Sequence, residues 1–187
     1  MHPPVITIDH ALGTPMREKL KQYFLQASST VAGKQSNMPG GQSYFENKWL
    51  SANNLHKSQN ALIQTASNSI LEIVNRFAAR HDQEPFAFEF TSLWVLVSSY
   101  GMEGKPHSHQ GYLSGAYYIN AAESGDKSCG GEFMVIDPEQ NDSHSFQPRS
   151  DRLLLFPSNT IHQVRRYTGK SRRITMSFNL KRVAIGA

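Results

Sequence analysis

Apolar residues recur at two different periods along this chain, and the change of period falls near Pro85. Before it, Leu62, Ile63, Ala66, Ile70, Ile73, Val74 and Phe77 repeat at helical spacing, which predicts a helix from about Ser58 to Arg80. An earlier helix is predicted from Thr14 to about Gln26, with Thr14 as cap and Pro15 in the first turn. Between them the stretch QSNMPGGQSYFENK (35–48) reads as loop. Beyond Pro85 the chain becomes aromatic and β-branched in short runs. FAFEFTSLWVLVSSY (86–100), YLSGAYYIN (112–120), GEFMVID (131–137), DRLLLFP (151–157), HQVRRY (162–167) and RRITMSFNL (172–180) are each bounded by Gly, Pro, Asn or Ser. Strands this short and this closely spaced predict a sandwich or barrel rather than βαβ units. The expected fold class is α+β, mainly β: one domain over 1–187, helical over about 1–85 and β-rich over about 86–182.

Composition narrows the setting. A chain of 187 residues is long enough to bury a real core, and ten Phe and seven Tyr supply large pieces for it. One cysteine, Cys129, excludes an internal disulfide and a thiolate metal cage. The opening MHPPVITIDHALG has neither a basic start nor an apolar core, so no secretory signal is expected there. The longest apolar runs are too short to span a bilayer. A soluble, cytoplasmic protein is the expectation. The net charge of +4 comes largely from Arg165, Arg166, Lys170, Arg172, Arg173, Lys181 and Arg182. No nucleic-acid motif accompanies this cluster, so it reads first as a solvated surface, and nucleic acid is not an expected partner.

Two of the eight histidines, His107 and His109, stand one apart in PHSHQG, where a strand would turn both to one face. Two imidazoles so placed can reach one ion at about 2.0–2.1 Å. A third, His162, follows the apolar run LLLFP and its turn. Three nitrogen ligands with open positions are catalytic in style, whereas structural zinc sites are closed by four. Such a set suits iron, manganese, copper or zinc.

These pieces carry a resemblance. Tyr100, HSH (107–109), SGAYYIN (114–120), GGEFMVID (130–137), DRLLLFPSNTIHQV (151–164) and RRITMSFN (172–179) occur in the order and approximate spacing of the 2-oxoglutarate/Fe(II)-dependent dioxygenases. The likeness runs from about Trp94 to Leu180 and is closest to the prolyl-hydroxylase-like branch and its small bacterial and phage relatives. It implies a double-stranded β-helix (jelly-roll) core with N-terminal helices packed on it. It also implies Fe(II), with 2-oxoglutarate as cosubstrate, O2 as oxidant, and hydroxylation of a small-molecule or peptidyl substrate through a ferryl intermediate. By the same resemblance His107 and His162 match the two family histidines. His109 stands where the family has Asp or Glu, so three arrangements stay open: three working histidines, a carboxylate brought from Glu103, Glu132 or Asp137, or a site without activity. Arg173 and Thr175 match the positions that anchor the distal carboxylate of 2-oxoglutarate, a one-residue slip would put Arg172 there instead, and Ser114, Tyr118 and Tyr100 match further cosubstrate positions.

Two other readings compete. Gly101 to His109 also fits a cupin opening, and PSNTIH (157–162) its closing motif with Asn for Gly, although Leu113 and Ser114 occupy the cupin glutamate's place. A metal-containing module that binds a ligand or partner without turnover is the other, with 35–48 as its contact surface or, in an enzyme, as a lid. Outside these motifs, Trp49 and Trp94 read as core, and Glu132 as a solvent-facing strand residue.

Overall fold

The structure is a computed structural model, and it describes residues 5–29, 48–78, 86–121, 129–139 and 141–184. The loop expected over 35–48 lies outside the described residues up to position 47, as do the last two residues of the second expected helix.

Two antiparallel sheets face each other. The major one has the order β1-β8-β5-β10-β3-β2, built from β1 (Ile6–Ile8), β2 (Lys48–Leu50), β3 (Phe86–Ser98), β5 (Leu113–Asn120), β8 (Leu153–Pro157) and β10 (Arg173–Ala184). The minor one has the order β4-β9-β6-β7, from β4 (Gly104–His107), β6 (Phe133–Asp137), β7 (Asp142–Phe146) and β9 (His162–Val164). This is the double-stranded β-helix that the resemblance implies. Helices α1 (Thr14–Ser29) and α2 (Ala61–Ala78) cover the outer face of the major sheet.

The alternation along each long strand explains the arrangement. On β3, Leu93, Val95 and Val97 turn outward to the helices, joined by Ile174, Met176 and Phe178 of β10 and Leu153 and Leu155 of β8. Leu20 and Phe24 of α1 and Ile63, Ala66, Ile70 and Val74 of α2 close this core from the other side. The opposite face looks into the space between the sheets, where Tyr118, Phe133, Val135, Leu154 and Phe156 form a smaller apolar cluster. Strand β8 is covered on both faces, which is why its sequence is an unbroken apolar run rather than an alternating one.

Several boundaries differ from the sequence expectation. Helix α2 begins at Ala61, not Ser58, because the Asn60 side chain accepts from the N–H groups of Leu62 and Ile63 and so caps the helix. Thr14 is inside α1: the first intrahelical bond runs from the Arg17 N–H to the Gly13 carbonyl, so Gly13 takes the place expected for Thr14. Four short strands, β1, β2, β4 and β7, carry too few residues to show a period of two. The first two fall in the stretch read as helical, yet both join the major sheet.

Candidate metal centre and adjoining cavity

His107, His109 and His162 converge. Each offers a nitrogen within 4.8 Å of the others', and among the described residues this is the one such group of potential metal ligands. The ring centroids lie 4.4 Å (His107–His162), 4.9 Å (His107–His109) and 5.0 Å (His109–His162) apart. Two of the three arrive from paired strands: β4 and β9 are antiparallel neighbours, and His107 and His162 are direct partners in their register. His109 arrives differently. It lies beyond the end of β4, so the expected same-face pair on one strand does not form. The backbone N–H of His109 instead donates to the Ser158 carbonyl at 2.8 Å, which folds the loop back over the site.

The ring orientations suit a metal. His107 Nδ1 lies 2.7 Å from the Lys105 carbonyl oxygen, and His162 Nδ1 lies 2.9 Å from that of Thr160. A carbonyl only accepts, so each Nδ1 carries the proton and each Nε2 keeps its lone pair free for the site. Fixing a ligand histidine through its second nitrogen is the usual support of a metal site. Burial pushes the His109 imidazole down to about 4, with the nearby His107 adding to the effect. Burial also takes His162 down to about 4; the bond to Thr160 opposes this and the two neighbouring histidines assist it. Both are therefore neutral near pH 7, as ligation demands. Phe133 stacks on His162 at 5.1 Å and Phe156 packs at 4.9 Å, so the site has an apolar wall.

None of Glu103, Glu132 or Asp137 joins the histidine group. Glu103 lines the cavity nearby. Glu132 is buried rather than solvent-facing, because it leaves Gly131 inward toward Arg173 and Gln147 before β6 begins.

The histidines stand on a cavity of about 680 Å³ between the sheets. Arg173 lines it and is 2% exposed, whereas Arg172 is exposed. The guanidinium donates through Nη1 to the Gly131 carbonyl at 2.8 Å and lies 5.3 Å from the centre of the Tyr118 ring. Burial disfavours its charge, which the neighbouring Tyr118, Tyr167 and Glu132 support. Burial likewise raises the Tyr118 hydroxyl, so that group is a neutral donor. Thr175 stands two residues along β10 on the same face, in register with Tyr118. Glu132 supports this cation, yet Arg173 Nε is buried without a hydrogen-bond partner among the described residues, which leaves the fork able to take a further anion. A carboxylate is the natural match for a guanidinium fork flanked by hydroxyls.

Two expected cosubstrate residues fall elsewhere. Tyr100 is 61% exposed in the turn after β3 and does not line the cavity, because the strand ends at Ser98. Ser114 is buried on the inner face of β5, but its hydroxyl is engaged with Ser158 and Asn179 away from Arg173. Two residues read as structural do border the site. Trp94 lines the cavity, 6.1 Å ring to ring from His109; its position on the inner face follows from the register of β3 and could be found only once that register was known. Gly131, at φ +77°, holds Arg173 through its carbonyl, and a Cβ there would stand 2.6 Å from Arg173 Nη1. The double glycine was its only trace in the sequence.

Comparison with known proteins agrees with this geometry. Residues 92–179 match the family model described as "Putative 2OG-Fe(II) oxygenase". No curated protein matches the chain. A prolyl hydroxylase from Trichoplax adhaerens, solved in complex with a hypoxia inducible factor oxygen degradation domain peptide fragment, is similar with a TM-score of 0.72 at 18% identity, over 94% of this chain and 83% of that one. A Pseudomonas putida prolyl-4-hydroxylase has a TM-score of 0.66 at 14% identity, covering 97% and 88%. HygX from Streptomyces hygroscopicus, solved with nickel, 2-oxoglutarate and hygromycin B bound, has a TM-score of 0.67 at 11% identity, covering 96% and 83%. At these identities the structural likeness speaks for the fold. The chain thus shares its fold with these proteins, and the span that matches the oxygenase family model contains all three clustered histidines and Arg173. Among the described residues no helix is long and apolar enough to cross a membrane.

Proposed function

We propose that this chain is a 2-oxoglutarate-dependent hydroxylase whose Fe(II) is held by His107, His109 and His162, three neutral imidazoles without a carboxylate. Arg173, Thr175 and Tyr118 bind the distal carboxylate of 2-oxoglutarate. When bound, iron and 2-oxoglutarate supply the oxidative decarboxylation that hydroxylates a substrate C–H bond. The chain's own residues hold the reactants and keep bulk water away. Carbonyl oxygens of Lys105 and Thr160 fix two imidazoles with Nε2 toward the cavity. Phe133 and Phe156 shield one side, and Trp94 stands beside His109 on another.

The observation that carries this reading is one cavity joining a three-histidine cluster to a buried, inward arginine. A cupin-type enzyme has no use for that arginine. Neighbouring proteins were solved with a peptide fragment and with hygromycin B, bound molecules too unlike for either to be carried over by fold. One buried cysteine suits a reducing, cytoplasmic setting.

Anaerobic titration of the purified protein with Fe(II) and then 2-oxoglutarate tests the reading, followed by the weak visible charge-transfer band of the chelate. The wild type is expected to develop the band; His162→Ala loses the metal, and Arg173→Ala keeps the metal but loses the band. Metal binding with no band in the wild type moves the assignment to a cupin-type dioxygenase.

A further inference from the structure

A row of hydrogen bonds, buried at its Ser114–Ser158 end, runs across the major sheet to the turn between β8 and β9. The Asn179 side-chain N–H on β10 donates to Ser92 Oγ on β3 at 2.9 Å, and Asn179 Oδ1 accepts from Ser114 Oγ on β5 at 2.7 Å. Ser114 Oγ lies 2.8 Å from Ser158 Oγ. The Ser114 proton is committed to Asn179, so the Ser158 hydroxyl must donate to Ser114, and the row has one direction. Ser114 and Ser158 are each 1% exposed.

Ser158 sits in the Pro157–Ile161 turn between β8 and β9, and this turn touches two of the three histidines. Its Ser158 carbonyl accepts the His109 backbone N–H, and its Thr160 carbonyl holds His162 Nδ1. His109 has no strand of its own; that bond ties its loop to the fold together with two others, from the Tyr112 N–H to the Leu180 carbonyl and from the Ser158 N–H to the Tyr112 carbonyl. The loop leaves the site through Gly111 at φ +129°, where a Cβ would stand 3.2 Å from Ser158 Oγ and 3.1 Å from the Leu180 carbonyl oxygen. The hydroxyl of Ser158 is thus boxed in by the same loop that its carbonyl anchors.

We propose that Ser114 and Ser158 are positioning residues for the metal site, in which the buried hydroxyl pair clamps the Pro157–Ile161 turn to β5 and thereby sets His109 and His162 against His107. The inference rests on the reading of the three histidines as metal ligands. It gives Ser114 a place in the site other than contact with 2-oxoglutarate. It also fits the chemistry of a weaker ligand set: with no carboxylate to hold the ion by charge, affinity depends more on how well the imidazoles are preset.

The test is a Co(II) titration of the metal-free protein, following the visible d–d bands, with thermal unfolding of each sample alongside. Ser114→Ala and Ser158→Ala are each expected to weaken Co(II) binding about tenfold and to change band positions or intensities, the scale typical of lost support around metal ligands. The double variant should be little weaker than either single one, since both break one link. Ser114→Thr, which keeps a hydroxyl, should restore binding. Ser67→Ala, which removes a buried hydroxyl from α2, is the control and should leave the spectrum unchanged. Should one alanine variant fail to fold, the other tests the same link, since each removes one half of the hydroxyl pair. Folded serine variants that bind Co(II) within about twofold of wild type, with wild-type spectra, overturn the positioning role while leaving the metal site intact. A wild type that takes up no Co(II), or a His162→Ala variant that binds it unchanged, overturns the metal reading itself.

Discussion

At His109 an imidazole stands where the resembling family has a carboxylate, and the exchange changes the charge of the site rather than its reach. In the proposed site, three imidazoles would bring no charge of their own, and the ion's two positive charges would be met by what it binds. Their neutrality has a cost that pH can expose. His109 and His162 stay unprotonated down to about 4 in the folded protein, whereas an unfolded histidine takes up its proton near about 6.5. Between those limits the unfolded chain binds more protons, so the metal-free protein should lose stability as pH falls from about 6.5 to about 4 and level off below. Urea midpoints at pH 7, 5.5 and 4.5 would show it, and a His109→Gln/His162→Gln double variant should show a smaller fall. Gly131 makes a second prediction. Gly131→Ala places a methyl against Arg173 Nη1 in a strained backbone and should weaken 2-oxoglutarate binding at least tenfold with metal binding retained, measured by the same anaerobic titration. The histidines were legible because spacing and order survive in one dimension. Gly131 and Trp94 were not, since a carbonyl's aim and a strand's register appear only when the sheet closes.

Among the elements, α1 depends on a residue far from it in sequence. Asp151, at φ +67°, accepts the backbone N–H groups of Leu12 and Gly13 at 2.9 and 3.0 Å and the Tyr117 hydroxyl at 2.8 Å. It ties the entry of the helix to the turn before β8. Burial, with Asp151 assisting, pushes the Tyr117 hydroxyl up, so it remains a donor. Asp151→Ala should strand three donors, the buried Tyr117 hydroxyl and the partly buried N–H groups of Leu12 and Gly13, and cost about 2–4 kcal/mol in denaturant unfolding, while Asp151→Asn, tolerant of the left-handed backbone, should cost less. The sequence showed Asp151 only as the start of a strand, because a bond spanning 139 positions leaves no local pattern. The long elements were legible for the opposite reason. Helix α2 and strands β3, β5 and β10 repeat their apolar period often enough to be read, while β4 and β7 have four and five residues and mostly polar faces.

Across the whole molecule the two sheets divide the work: the minor sheet and its turns carry the histidines, and the major sheet carries Arg173 and the helices behind it. Trp94 bridges the two, and Trp49 packs near Phe24, 6.4 Å ring to ring. Co(II) binding should therefore quench one tryptophan's emission, and Trp94→Phe should abolish the quenching while leaving the remaining fluorescence of Trp49. Strand β10 has a consequence of its own. Arg173, Thr175, Ser177 and Asn179 all line the cavity from alternate positions, over about 20 Å at the usual strand rise. The residues between them, Ile174, Met176 and Phe178, belong to the core under the helices. The strand is thus a message in a two-letter frame, and losing a single residue ahead of it would exchange the whole polar text for the greasy one on its reverse. Lineages of this protein can revise that text one word at a time by substitution; they have no route to it by sliding the page.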